Sequence, residues 1–132
     1  MYNVSVHEQI EHDQVVAARV KQLELFYRVL ADPNITRISQ THGLYPDIIV
    51  TDEKSNVLFI EEVETDSSIT RKTRNERWLK YSQRGYPLNI IIPESQETKA
   101  KKLLNGLNIS RLYYYKLTST GIRFRHVSKL ST

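Results

Sequence analysis

Apolar residues recur at three- and four-residue steps through Val16, Val20, Leu23, Tyr27 and Leu30, so residues 5–31 read as a long helix with one apolar face. Ser5 with Glu8 three residues on has the form of a capping box at its start, and Asp32-Pro33-Asn34 stops it. Ile35 to Ser39 is a short extended piece suited to a first strand, and Thr41-His42-Gly43-Leu44-Tyr45-Pro46 is a turn. Apolar runs rich in β-branched residues follow. Asp47 to Thr51 and Val57 to Glu64 read as two strands, joined by the polar hairpin loop Asp52-Glu53-Lys54-Ser55-Asn56. Asp66-Ser67-Ser68 offers N-cap residues to a second helix over 68–83, which Gly85 and Pro87 close. Leu88 to Ile92 is a strongly apolar strand ended by Pro93, and Ser95 to Leu104 is a third helix. Ile109 to Leu117 and Gly121 to Val127 are strands around the turn Thr118-Ser119-Thr120-Gly121. The order predicts an α/β fold, a central mixed sheet flanked by helices. An αβββαβ core covers about residues 5–93 and a small αββ extension about 94–132, in one domain over 1–132.

Composition narrows the class. With 39% apolar and 26% charged residues the chain has the balance of an ordinary globular protein, without a low-complexity tract. No apolar stretch approaches the roughly 18–20 residues of a membrane span. His7, Glu8, Glu11 and Asp13 stand where a signal peptide needs a basic and then an apolar run, so the expectation is a cytoplasmic protein with no membrane partner. The absence of cysteine excludes a disulfide framework, a zinc knuckle and thiol catalysis. The four glycines lie far apart, leaving no glycine-rich phosphate loop.

The net charge of +4 conceals an asymmetry. Residues 1–66 hold 5 Lys/Arg against 12 Asp/Glu, whereas residues 67–132 hold 14 against 3. An acidic cluster beside a polyanion-attracting surface points to a nucleic-acid partner, DNA first. The second helix concentrates the basic charge: Arg71, Arg74, Arg77, Lys80 and Arg84 follow at three- and four-residue steps as a nucleic-acid-binding stripe, while Trp78, Leu79 and Tyr81 form its packing side.

The candidate chemistry lies between Pro46 and Glu64. Asp47 opens one strand; Glu62 and Glu64 close the next and share a face, with Glu61 and Val63 turned the other way. The short loop makes the strands antiparallel neighbours, so Asp47 can meet Glu62. Three converging carboxylates repel one another, and a divalent cation is the usual compensation; all-oxygen ligation suits Mg²⁺ or Mn²⁺. The Val63 carbonyl is placed to complete such a shell.

Pro46-Asp47 followed by Glu62-Val63-Glu64 resembles the PD-(D/E)xK signature of the restriction-endonuclease-like nuclease superfamily. The αβββαβ order over 5–93 is similar to that superfamily's core. The resemblance implies a restriction-endonuclease-like fold and a metal-dependent endonuclease that hydrolyses phosphodiester bonds in DNA. It implies Asp47, Glu62 and Glu64 as catalytic residues, with Asp47 and Glu62 as the metal ligands. Glu64 departs from the pattern, standing where the family carries lysine. There it resembles a third ligand or a base, with Lys72, Arg74 or Lys80 as a replacement cation; alternatively the departure marks an inactive nuclease fold that binds nucleic acid or serves assembly. In several nuclease families the matching helix carries a glutamine four residues before a tyrosine, and Arg77 and Tyr81 resemble that pair with arginine substituted. Many relatives place a glutamate near the start of the first helix, where Glu8 and Glu11 lie; Glu8 equally suits the capping box. The small size fits a homodimer or a subunit of a larger complex.

Other features are bland by comparison. His12 shares a face with Glu8, as a surface pair or as ligands, and His42, five residues before Asp47, either touches the site or stabilises the turn, the turn being favoured. Tyr113-Tyr114-Tyr115 read as sheet packing, with Arg123 and Arg125 on one exposed face as backbone contacts for nucleic acid. Paired acids also serve glycoside hydrolysis, but Trp78 is the single tryptophan, too few for a sugar cleft.

Overall fold

The computed structural model describes residues 5–30 and 46–127. Val6–Leu23 form helix α1, and Ser5 Oγ accepts the Glu8 N–H at 3.1 Å as its N-cap. Among the described residues, six strands form one sheet whose spatial order is the chain order: β1 (Arg28–Leu30), β2 (Ile48–Thr51), β3 (Val57–Val63), β4 (Leu88–Pro93), β5 (Arg111–Thr118) and β6 (Gly121–Val127). The pairs β1–β2, β2–β3 and β5–β6 are antiparallel, whereas β3–β4 and β4–β5 are parallel. Parallel neighbours need a crossover, and each of the two crossovers carries a helix. Helix α2, between β3 and β4, consists of an α-turn Arg71–Thr73, a π-helical stretch Arg74–Trp78 and an α-helical end Leu79–Ser82; α3 (Glu97–Leu104) lies between β4 and β5. The fold is α/β, a mixed sheet flanked by helices. Among the described residues, no helix is long and apolar enough to cross a membrane.

Strand alternation sorts the core into two layers. Ile48, Val50, Val63, Ile91 and Tyr115 turn toward Val15, Val16 and Leu23 of α1. Ile49, Ile60, Ile90 and Leu112 turn the other way, toward Trp78 and Tyr81 of α2 and Ala100 and Leu104 of α3. The tyrosine run divides accordingly. Tyr114 and Tyr115 are buried, with their hydroxyls donating to Glu97 and Glu11, which is the packing arrangement.

Several boundaries differ from the sequence reading. The first helix ends at Leu23 rather than near residue 31, and Arg28–Leu30 form an edge strand against Ile49–Thr51. Tyr27 and Leu30 satisfy a helical period, but over so short a stretch alternation serves equally: Val29 packs with Leu23 and Ile48, and Leu30 with the opposite core. The proposed strand Ile35–Ser39 and the turn from Thr41 to Tyr45 lie outside the described residues. The second helix starts at Arg71, because Asp66–Ser68 close a separate 3₁₀ turn and Thr70 Oγ1 caps the helix by accepting the Thr73 N–H. A 3₁₀ turn, Glu94–Gln96, likewise precedes α3. The hairpin loop is as expected, with Asp52 Oδ1 accepting the N–H groups of Lys54 and Asn56.

One charged pair lies inside the α1 layer. Glu61 is 0% exposed, and Arg19 reaches both of its oxygens at 2.8 Å while stacking over the Tyr113 ring. Asn89 Nδ2 donates to Glu61 Oε2 at 2.9 Å. Removing one member leaves the other charge buried without compensation. Glu61→Ala is expected to destabilise the fold by about 3–5 kcal/mol, and the double change Arg19→Met/Glu61→Leu to recover most of that loss. Urea unfolding of the wild type and the two variants checks both outcomes.

Candidate active site

The antiparallel register pairs Ile48 with Glu61, which sets Asp47 beside Glu62 where β2 begins and β3 ends. The two residues clasp each other. The Asp47 N–H donates to Glu62 Oε2 at 2.7 Å, and the Val63 N–H donates to Asp47 Oδ2 at 2.8 Å. The meeting of Asp47 and Glu62 is thus as expected from the loop length. Glu62 and Glu64 share the α2 face, also as alternation requires.

Helix α2 supplies the partners of both glutamates. Arg77 donates to Glu62 Oε1 from Nε at 2.9 Å and from Nη2 as well, with its guanidinium 5.7 Å from the Tyr81 ring centre. Trp78 Nε1 donates to Glu64 Oε2 at 2.8 Å, and Ser68 Oγ to Glu64 Oε1 at 2.7 Å. The π-helical stretch, closed by the Leu79 N–H on the Arg74 carbonyl, brings the consecutive Arg77 and Trp78 to acids two residues apart, Glu62 at the end of β3 and Glu64 just beyond it. Such widened turns recur at functional sites.

Helix α1 approaches from the other layer. His12 Nε2 lies 3.1 Å from Asp47 Oδ2 and Nδ1 lies 3.1 Å from Asp13 Oδ1. Carboxylates at both ring nitrogens require protons on both, so the ring is a cation. Burial opposes that charge, but Asp47, with Asp13, outweighs it and lifts the His12 pKa to about 9. Glu8 accepts from Thr65 Oγ1 and Ser67 Oγ, both at 2.7 Å, and from the Ser67 N–H at 3.1 Å, which ties the start of α1 to the loop after β3. Those bonds, Thr65's first, hold the Glu8 carboxyl below its usual range. Glu8 therefore braces the site's edge, and Glu11 accepts the Tyr115 hydroxyl.

The charge balance is uneven. Among the described residues, Asp47, Glu62 and Glu64 face two nearby cations, His12 and Arg77. Burial, reinforced by Asp47, pushes Glu62 up to about 8 against the pull of Arg77. Burial pushes Glu64 up to about 7 against the hydrogen bonds of Ser68 and Trp78. A proton or a further cation relieves the excess. Oxygen donors of this kind suit a hard divalent ion. As arranged, however, Arg77 and the Asp47 N–H occupy Glu62, and Ser68 and Trp78 occupy Glu64. Among the described residues no group of three His, Asp or Glu side chains stands ready to hold a metal.

The basic helix does not present five cations together. Arg71, Lys80 and Arg84 are exposed. Arg74 instead donates to the carbonyls of Leu103 at 2.6 Å and Asn105 at 3.1 Å, satisfying acceptors that the end of α3 leaves unpaired. Arg77 turns to Glu62. Of Lys72, Arg74 and Lys80, considered as substitutes for the missing lysine, Arg74 is committed to α3 and neither lysine is seen to bond the carboxylates among the described residues; the cation that does is Arg77, which was not among them. His42 lies outside the described residues. Exposed Arg125 reaches Glu94 at 3.3 Å, and Arg123 is exposed on the same strand. His12 was legible only as a helical neighbour of Glu8, and nothing in its spacing singled out Asp47 as its partner. Against protein-family models, curated proteins and solved structures alike, the chain gives no match.

The shifted groups predict a pH dependence. Glu62 and Glu64 carry folded pKa values above the ordinary glutamate value of 4.5, so their stabilising contribution is full below 4.5 and fades as the pH rises through about 8 and 7 respectively. The contribution of His12 is full below 6.5 and is lost as the pH rises through about 9. All three act in the same direction. In the presence of EDTA, the unfolding temperature is expected to fall steadily from pH 5 to pH 9 in scanning calorimetry; a flat or rising profile would contradict this charge assignment.

Proposed function

We propose that the chain is a metal-dependent endonuclease hydrolysing phosphodiester bonds in DNA, with a variant PD-(D/E)xK site on a restriction-endonuclease-like fold. The juxtaposition of Asp47 and Glu62 across the β2–β3 register carries this reading. Buried acids that exceed their cations among the described residues, gathered at a sheet end, are costly to stability and are characteristic of sites that handle charge. Asp47 and Glu62 would hold Mg²⁺ or Mn²⁺, which when bound supplies positive charge at the phosphate and acidifies water. Arg77 must yield Glu62 Oε1 for that ligand set to form. Once displaced, it offers the positive charge that lysine gives the family, at the phosphate rather than at the carboxylate. Glu64 completes the site as a third acid, oriented by Ser68 and Trp78. Arg71, Lys80 and Arg84 hold the DNA backbone through salt-sensitive contacts. Cutting both strands with one such site takes two copies of the chain or one within a larger complex.

The occupied oxygens of Glu62 and Glu64 favour a second reading, an inactive nuclease fold that binds nucleic acid or serves assembly. Mg²⁺ and Mn²⁺ calorimetry followed by plasmid nicking separates the two. The nuclease is expected to bind the ion and nick; Asp47→Ala or Glu62→Ala is expected to lower nicking at least 100-fold while DNA retardation on a gel persists. Retardation without ion binding or nicking in the wild type would establish the second reading, and a Glu62→Ala protein that nicks normally would remove the site assignment.

A further inference from the structure

A second feature lies on the α1 face at the far end of the sheet from the carboxylates. There a cavity of about 310 Å³ opens between the end of α1 and the starting ends of β3, β4 and β5. This volume is at the lower end of the range for small-molecule sites. Tyr27, Phe59 and Tyr113 supply aromatic surface and Leu23 an aliphatic one, while Tyr27 remains 42% exposed at the mouth. Asn89, 3% exposed, is the buried polar side chain of the lining that keeps an unused acceptor. Its Nδ2 is held by Glu61, which fixes the amide, and its Oδ1 is buried with no donor. A buried acceptor left unpaired is rare in a native fold and marks a place where a donor is missing. Arg111 is exposed at the rim and makes no ion pair among the described residues. The adjacent Glu61 is already neutralised by Arg19, so Arg111 sets the sign of the cavity.

Aromatic walls, one buried acceptor and one cation at the rim together describe a flat heteroaromatic ring that bears an N–H donor and an attached anion. We propose that this cavity binds a nucleobase with its phosphate, the ring against the aromatic walls, a base N–H on Asn89 Oδ1 and the phosphate on Arg111. The base comes either from a free nucleotide or from an unpaired position in a strand. The proposal is independent of the carboxylate site, since it uses different residues at the opposite sheet end and no metal.

Calorimetric titration of the full chain in EDTA tests it, with AMP, inorganic phosphate, a five-residue oligodeoxyadenylate and the same oligonucleotide with an abasic centre as probes. AMP or the oligonucleotide is expected to bind at least tenfold more tightly than phosphate. Arg111→Glu and Asn89→Leu are each expected to weaken that binding at least tenfold, and Lys102→Glu, exposed on α3 and outside the cavity lining, to leave AMP binding unchanged. Arg111 is exposed, so its variant decides the matter if Asn89→Leu fails to fold; a shift of the Asn89 side-chain amide signal in NMR on adding AMP gives a second readout. Equal affinity for AMP and the oligonucleotide identifies a free nucleotide, and tighter oligonucleotide binding that the abasic centre abolishes identifies a strand. Failure of both AMP and the oligonucleotide to bind more tightly than phosphate, or binding that Arg111→Glu leaves intact, overturns the proposal.

Discussion

Two consecutive glutamates on the central strand send buried charges in opposite directions, and the layers are organised around them. Glu61 points to α1 and is neutralised by Arg19; Glu62 points to α2 and is neutralised by Arg77. Side chains alternate along a strand, so the two cannot share a face. Each pair joins β3 to the helix on its side. A one-residue slip of β3 would exchange the faces, setting Glu61 against the α2 layer and Glu62 against Arg19. The apolar residues around them set how tightly the layers pack, while the acids allow only one register.

The pairs look alike in sequence and differ in electrostatics. Arg19 and Glu61 form a closed unit with both carboxylate oxygens bonded by one guanidinium, and Gln22 and Asn89 satisfy further groups. One positive charge meets one negative, and nothing is left over. Arg77 and Glu62 instead share their surroundings with Asp47, Glu64 and His12, where acids outnumber cations among the described residues. A buried pair contributes little net stability after desolvation. The closed pair is therefore best understood as a register device, and the open one as the start of a site whose charge requires a proton or a ligand.

Helix α1 connects both ends of the molecule. Its 18 residues span about 27 Å at 1.5 Å per residue. Glu8 and His12 near its start meet the loop after β3 and Asp47, while Leu23 at its end lines the cavity. Arg19 between them anchors the helix to the strand that runs from one feature to the other. The position of α1 thus sets the geometry at the acidic end and the width of the cavity at the other.

Much of the fold could be read from local pattern. The apolar runs Ile48–Val50, Val57–Ile60 and Leu88–Ile92, the breaks at Gly85 and Pro87, and the turn before Gly121 point to strands and crossovers in the observed order, because alternation and turn chemistry act over a few neighbouring residues. The same local rules put Asp47 beside Glu62, since a short hairpin leaves the strands little choice of register. They did not reach the end of α1, where helix and strand periods agree over Tyr27 to Leu30 and pairing with β2 decides. Nor did they reach the partners of the acids. Arg74 and Arg77 are three residues apart in an apparently uniform basic run, yet one satisfies the carbonyls at the end of α3 and the other neutralises Glu62. The sequence by itself determined the order of elements from β2 onward, the faces of β3 and the meeting of Asp47 with Glu62, all consequences of short-range geometry. Only the tertiary structure decided which cation meets which acid, that His12 joins Asp47 and that Asn89 is left with an unused acceptor, because these depend on contacts between residues far apart in the chain.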